Sequence, residues 1–253
     1  MDFTLSVKTI EYASKLQAFL DSEVFPAEAV YEKQRHELIA SGKPHALPAV
    51  VEDLKKKARA LGLWNLFLPH NSDPHHGLSV TEYATLAEIT GWSPEIAPEA
   101  INCAAPDTGN MELLDMFGTD EQKKTWLEPL LEGRIRSAFA MTEPDVASSD
   151  AKNIATTAVL DGDEWLINGE KFYISGAGDP RCKIMIVMVM TSPDGPPHRR
   201  QSQILVPMNT PGVEIIGAMH VFGEDDAPHG HMHLRFNDVR VPKDNILLGW
   251  INI

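Results

Sequence analysis

The 253-residue chain changes its hydrophobic period near Gly133. Before that point apolar residues recur at three- and four-residue steps, which marks one buried face of a helix. Ile10, Ala13, Leu16, Leu20 and Val24 form the first such stripe, and Pro26 is expected to end or kink that helix. A second helix is predicted over 49–61, with Lys55, Lys56, Lys57 and Arg59 largely on its wet side and Gly62 as its stop. Ser79 with Glu82, and Thr119 with Gln122, have the spacing of capping boxes. They predict helices over 80–89 and from 120 to about 131. Another helical stretch covers 108–116, and 71–77 reads as a loop.

Beyond Gly133 short β-rich segments alternate with turn signals. Strands are expected over 154–160, 164–167, 171–175, 203–207, 213–216, 229–236 and 239–241. Asp161-Gly162 and Asn168-Gly169 read as hairpin turns. The nearly continuous apolar run 183–190 reads as a central strand. Helices first and strands second predict an α+β chain. It has an all-α N-terminal domain over 1–134, a β domain over 135–249 and a short tail over 250–253.

Composition narrows the function classes. Hydrophobic residues make up 43% and charged residues 23%, which excludes a mostly disordered chain. Twenty-two basic residues against 36 acidic give a net charge of −14, which argues against a nucleic-acid-binding face. The longest apolar run, 184–190, falls far short of the roughly 20 residues of a membrane-spanning helix. Cys103 and Cys182 are too few for a disulfide framework. The N-terminus reads as neither a secretory signal nor a transit peptide. A cytoplasmic location is expected in a bacterial-type cell, and a mitochondrial or peroxisomal one in a eukaryote.

Two segments carry candidate chemistry. Phe139-Ala-Met-Thr-Glu-Pro-Asp-Val-Ala-Ser-Ser-Asp150 holds the hydroxyls of Thr142, Ser148 and Ser149. Such a loop can cradle an anion or a polar ring edge, or serve as an acidic capping turn. Lys171-Phe-Tyr-Ile-Ser-Gly-Ala-Gly178 places Tyr173 and Ser175 on one strand face before a Gly-rich turn. An aromatic wall beside a hydroxyl suits a flat heterocycle, and an ordinary strand with a tight turn has the same pattern. His229, His231 and His233 alternate on one face and could bind a metal, though a half-exposed strand with polar outward-facing positions is the favoured reading. His70, His75 and His76 form a looser cluster. Arg134, Arg136, Arg181 and Lys183 offer local positive charge near the two segments.

Taken together, Thr-Glu-Pro…Ser-Asp and Ile-Asn-Gly-x-Lys-x-Tyr-Ile-Ser-Gly resemble the acyl-CoA dehydrogenases. Three further pieces agree in order and spacing: the stretch from Gly118 to Leu131, Val206-Pro…Thr210-Pro-Gly-Val213, and Phe236-Asn-Asp-Val-Arg-Val-Pro-x-x-Asn-Ile-Leu-Leu-Gly249. The long loop and Asp225-Asp-Ala-Pro-His-Gly-His231 look most like family members ten and eleven and their bacterial relatives. The resemblance implies a helical domain followed by a middle β-barrel domain that holds FAD. It implies that Phe139, Met141 and Thr142 line the flavin's pyrimidine side, with Thr142 bonding through its hydroxyl or backbone. Tyr173 and Ile174 belong to the ring-binding strand, and Ser175 is placed by flavin N5. Ser149 matches the serine at the flavin pyrophosphate and the acyl-CoA entrance, a role Ser148 could share. Tyr173 and Ser175 stand where the family commonly has Trp and Thr.

The implied chemistry is α,β-dehydrogenation of an acyl-CoA thioester in fatty-acid β-oxidation, with electron-transfer flavoprotein or a similar acceptor as partner. The sequence stops where the family continues into a C-terminal four-helix domain, so that domain is expected to be absent. No catalytic base is assigned, Glu143 included, and the chain alone is expected to be inactive and self-associating. The alternatives are a flavin oxidase or monooxygenase on the same architecture, or a non-catalytic binding protein.

Overall fold

The computed structural model describes residues 4–68 and 77–247. Nearly all of the expected loop over 71–77, His70, His75, His76 and the tail lie outside the described residues. By its internal contacts the chain divides into two compact units, Met1–Thr108 and Gly109–Ile253.

In the first unit α1 (Val7–Phe19) runs through a π-helical turn, Leu20–Val24, into α2 (Phe25–Ala40). Pro26 therefore does not end the helix. The Phe25 N–H donates to the Leu20 carbonyl, the wider step of a π turn, and Pro26 falls in the first turn of α2. The ladder is already interrupted where proline has no N–H to give. Leu16, Leu20 and Val24 are buried as the stripe predicts, Phe19 beside them is buried too, and Ile10 is exposed.

α3 (Ala49–Ala60) ends before Gly62, which has left-handed backbone with φ +70. Lys55 corrects the expectation of a wet lysine run. It lies on the buried stripe with Val51, Leu54 and Ala58, and its ammonium pairs with Glu99 at 2.6 Å and Glu52 at 3.0 Å. α4 (Val80–Thr90) starts with both halves of the Ser79–Glu82 capping box formed. A short α5 (Ala97–Ala100), with Pro98 in its first turn, was hidden by that proline. α6 (Asp107–Phe117) spans the division between the units.

The second unit continues with α7 (Asp120–Gln122), a π turn over Lys123–Leu127 and α8 (Glu128–Leu131). Thr119 caps this run, and Gln122 completes the box. Gln122 also donates to the Asp244 carbonyl at 2.8 Å and the Ile246 carbonyl at 3.3 Å, which ties the run to the end of the sheet.

Seven strands follow: β1 (Arg136–Ala140), β2 (Thr157–Asp161), β3 (Glu164–Ser175), β4 (Cys182–Met190), β5 (Gln201–Pro207), β6 (Val213–Ala218) and β7 (His231–Pro242). They form one curled mixed sheet in the order β1-β4-β2-β3-β7-β6, with β5 also paired to β4. β4 runs parallel to β1 and β2 and antiparallel to β5, the central place its apolar run predicts. Trp165, Ile167, Ile174, Met185, Val187, Ile204, Leu234 and Phe236 fill the core.

Three expectations are corrected. The segment from Arg136 is a strand, not a loop from Phe139 onward. Asn168-Gly169 is no turn: β3 runs through it with a register shift against β7. The Asn168 amide exchanges two hydrogen bonds with Asp238, at 3.0 and 2.8 Å, and this replaces ladder pairing there. β7 likewise runs unbroken from His231 to Pro242, bent at Asp238, which has φ +51. The Asp161-Gly162 hairpin is present, with Asp161 paired to Glu164.

Candidate functional site

The site is organised by a bulge in β3. Between Lys171 and Ile174 the register against β7 slips by one residue. A bulge bends its strand and frees backbone groups from the ladder. Here the freed groups belong to Phe172. Its N–H donates to the Thr142 carbonyl at 2.9 Å, and its carbonyl accepts from the Thr142 hydroxyl at 2.6 Å. The two segments picked out in the sequence are thus bracketed together by a reciprocal pair.

The same bulge forces Tyr173 into left-handed backbone, φ +55, a conformation uncommon for a bulky residue. Its N–H meets Met219 Sδ at 3.1 Å, and its ring, 43% exposed, packs edge-on to Phe172 at 5.1 Å. Backbone held in such a conformation is characteristic of functional sites. Ser175 is half-buried and its hydroxyl lies 2.9 Å from His231 Nδ1. The Tyr173 ring is 6.4 Å from the same imidazole, so the two residues approach a common side chain as their spacing predicts.

Under this face lies a buried ion pair. Lys171, with no exposure, donates to Glu143 Oε1 at 2.8 Å and to the Met141 carbonyl at 2.9 Å. The Glu143 carboxylate also accepts from the N–H groups of Ala155 at 2.8 Å and Thr156 at 2.9 Å. Burial alone would raise the Glu143 pKa. The bonds from Lys171, Thr156 and Ala155 outweigh it and hold the carboxyl below its ordinary value. Burial lowers the Lys171 pKa to about 8, and Glu143 limits that fall. With both oxygens engaged, the Glu143 carboxylate anchors the loop to β3 and to the segment before β2.

The remaining candidates separate by burial. Phe139 and Met141 are half-buried, on and just after the end of β1. Ile174 is 1% exposed and packs in the sheet core. Ser148 is buried and accepts the Glu143 N–H at 2.6 Å, whereas Ser149 beside it is exposed. Arg181 is held by Asp179 at 2.7 Å and Arg134 by Glu132. The three alternating histidines do not converge: His231 faces Ser175 and Asp226, and His233 meets Glu170 at 2.7 Å. Among the described residues no group of three potential ligands could hold a metal ion. A groove of about 480 Å³ in the helical unit is lined by Lys15, Phe19, Lys57 and Leu61, and none of the candidate residues lines it.

Sequence reasoning missed Lys171, Phe172 and Thr156 as parts of this arrangement. A lysine alternating inward on an otherwise apolar strand face was the available signal for Lys171.

The profile of the acyl-CoA dehydrogenase N-terminal domain matches residues 9–134, and that of the middle domain matches residues 138–239. The chain belongs to the acyl-CoA dehydrogenase family. It is 56% identical over 247 residues to FadE2 of Mycobacterium tuberculosis, named as an acyl-CoA dehydrogenase, covering 98% of this chain and 59% of that one. It is 49% identical to acyl-CoA dehydrogenase family member 11 of Mus musculus, covering 98% of this chain and 31% of the relative. A solved structure assigned as an acyl-CoA dehydrogenase from Mycobacterium abscessus superposes with a TM-score of 0.91 at 47% identity, covering 97% of this chain and 61% of that one. The chain thus spans less than two thirds of each of these relatives.

Proposed function

We propose that this chain carries the flavin-binding part of an enzyme that dehydrogenates an acyl-CoA thioester between its α and β carbons. The bracket between Thr142 and Phe172 supports this reading most directly. It joins the two segments the family resemblance assigns to FAD, and it leaves Tyr173 and Ser175 on the accessible side of a bulge. An exposed aromatic wall, a half-buried hydroxyl, and the partly apolar Phe139 and Met141 together fit a flat heterocycle with a polar edge.

FAD, when bound, supplies the two-electron oxidation. The residues of the chain position and hold. Phe139, Met141 and Thr142 would take the pyrimidine edge. The Thr142 hydroxyl already donates its hydrogen bond to the Phe172 carbonyl, so its oxygen would act toward the ring as an acceptor. Tyr173 would wall the ring, and Ser175 would set a hydroxyl at N5. Ser149, exposed on the loop, would meet the pyrophosphate and the entering acyl-CoA. Lys171 and Glu143 fix the loop from beneath. None of the residues named acts as the base that removes the substrate's α-proton, so turnover is assigned to the longer family protein. An electron-transfer flavoprotein fits as the acceptor there.

The test is an FAD titration of the purified 253-residue chain, followed by gel filtration and a visible spectrum. A flavin spectrum that travels with the protein supports the reading, and acyl-CoA should not bleach it. A protein that emerges colourless from saturating FAD would overturn the assignment of the site to this chain.

A further inference from the structure

Ser175, His231 and Asp226 form a continuous line of close polar contacts. Ser175 Oγ lies 2.9 Å from His231 Nδ1, and His231 Nε2 lies 3.1 Å from Asp226 Oδ2. The three residues come from three places: the end of β3, the start of β7, and the turn that precedes it. Asp226 is set by that turn. It has left-handed backbone, φ +52, its carbonyl accepts the Gly230 N–H at 2.8 Å, and the next residue's N–H bonds Asp225 at 3.1 Å. The Gly230 carbonyl in turn accepts the Gly176 N–H at 3.1 Å, just after Ser175. The chain of side chains is therefore braced by backbone at both ends.

We infer that His231 is a positioning residue that fixes which way the Ser175 hydroxyl points, with Asp226 selecting the tautomer. A carboxylate has no proton to give, and a bare imidazole lone pair 3.1 Å from it would be repelled, so the nitrogen facing Asp226 carries the proton. In the neutral ring that proton sits on Nε2, which leaves Nδ1 as an acceptor. Ser175 then donates its hydroxyl hydrogen bond to Nδ1. Its oxygen is left with lone pairs only, so Ser175 acts as an acceptor toward whatever fills the site. If the FAD reading holds, on which this second step rests, an acceptor at N5 favours the reduced ring, whose N5 bears a hydrogen, over the oxidised ring, whose N5 does not. His231 thereby acts on the flavin through Ser175 without touching it. The Tyr173 ring stands beside the imidazole and contributes no competing charge.

The direct experiment is nitrogen-15 NMR of the histidine side chains in the FAD-free 253-residue chain at about pH 9, well above the range where an ordinary histidine protonates. His231, identified by its loss in His231→Phe, should show protonated Nε2 and unprotonated Nδ1. Asp226→Asn, which suits the left-handed backbone, should lose this preference for one tautomer. Ser175→Ala should shift the Nδ1 resonance and leave Nε2 nearly unchanged. A protonated Nδ1 in the wild-type chain, or an equal mixture of tautomers, overturns the inference. So does an Nδ1 resonance indifferent to Ser175→Ala.

In the FAD-loaded chain the midpoint potential gives a second readout. His231→Phe should lower it, and should have no effect in a Ser175→Ala background. An equal drop in both backgrounds overturns the coupling through Ser175. The NMR result needs no flavin, so failure to bind FAD would sink the proposed function and leave the tautomer question decided separately.

Discussion

Lys171 and Glu143 meet at 2.8 Å with almost no exposure of either side chain, directly beneath the bulge that shapes the candidate site. The pair links β3 to the loop after β1, and the Glu143 oxygens also collect two backbone N–H groups. Breaking one partner of such a pair leaves the other charge buried, at a cost of about 3–5 kcal/mol. The pair therefore fixes the loop carrying Thr142 and Ser149 together with the Thr142–Phe172 bonds.

Its pH dependence has a defined sign. The folded-state pKa of Glu143 is below the ordinary 4.5, so the folded chain holds on to fewer protons than the unfolded one in acid. Its stabilisation is fully present above about pH 4.5 and is lost as pH falls through the lower folded value. Glu143→Gln should be several kcal/mol less stable than the parent at neutral pH. The two denaturation curves should converge as the pH drops below 4.5. A gap that stays constant from neutral to acid pH would mean that the carboxylate charge is not what stabilises the loop.

The neighbouring serines should separate cleanly. Ser148→Ala leaves the Glu143 N–H without its 2.6 Å acceptor in a buried place, and should cost about 1–3 kcal/mol. Ser149→Ala changes an exposed side chain and should stay within about 0.5 kcal/mol of the parent. Under the proposed function it is nevertheless the one that should weaken FAD binding at constant stability. Urea denaturation with a parallel FAD titration checks both. Equal stability of the two variants would refute the division of roles.

The helical half was legible because its signals are local. The Ser79 and Thr119 capping boxes and the Gly62 stop need only a few residues of context, and each lies where its spacing places it. The π turns were not legible, since nothing in the stripe from Leu16 to Val24 separates a wider turn from an ordinary one. In the β half, Asn168-Gly169 has the composition of a turn. Only its distant partners, Asp238 and Thr156, turn it into a strand irregularity. The site shows the same limit. Tyr173 and Ser175 could be paired by alternation alone. The bracket from Phe172 to Thr142, 30 residues apart, could not, nor could the reach of Asp226 to His231.

Gly169 tests that strand irregularity. A Cβ there would lie 2.5 Å from Thr156 Oγ1 and 2.8 Å from Thr156 Cα, so backbone as well as side chain would have to move. Thr156 also donates its N–H to Glu143, so the displacement would reach the buried pair. Gly169→Ala should cost about 1–3 kcal/mol by overpacking. Thermal denaturation should show a clear fall in Tm. An unchanged Tm would mean that β3 and the segment before β2 separate without cost.

Thr142 separates stability from binding. Thr142→Val keeps the shape and the backbone bond from Phe172, and removes only the 2.6 Å hydroxyl bond to the Phe172 carbonyl. The loss should be about 0.5–1.5 kcal/mol, the usual net value of one hydrogen bond. In the proposed site the threonine oxygen also accepts from the flavin, and the second loss appears only when FAD is present. FAD affinity should then fall by about tenfold, the equivalent of 1.4 kcal/mol, in addition to the change seen without ligand. Chemical denaturation with and without saturating FAD measures the two losses on one sample. If FAD stabilises the variant as much as the parent, Thr142 holds the loop and does not touch the cofactor.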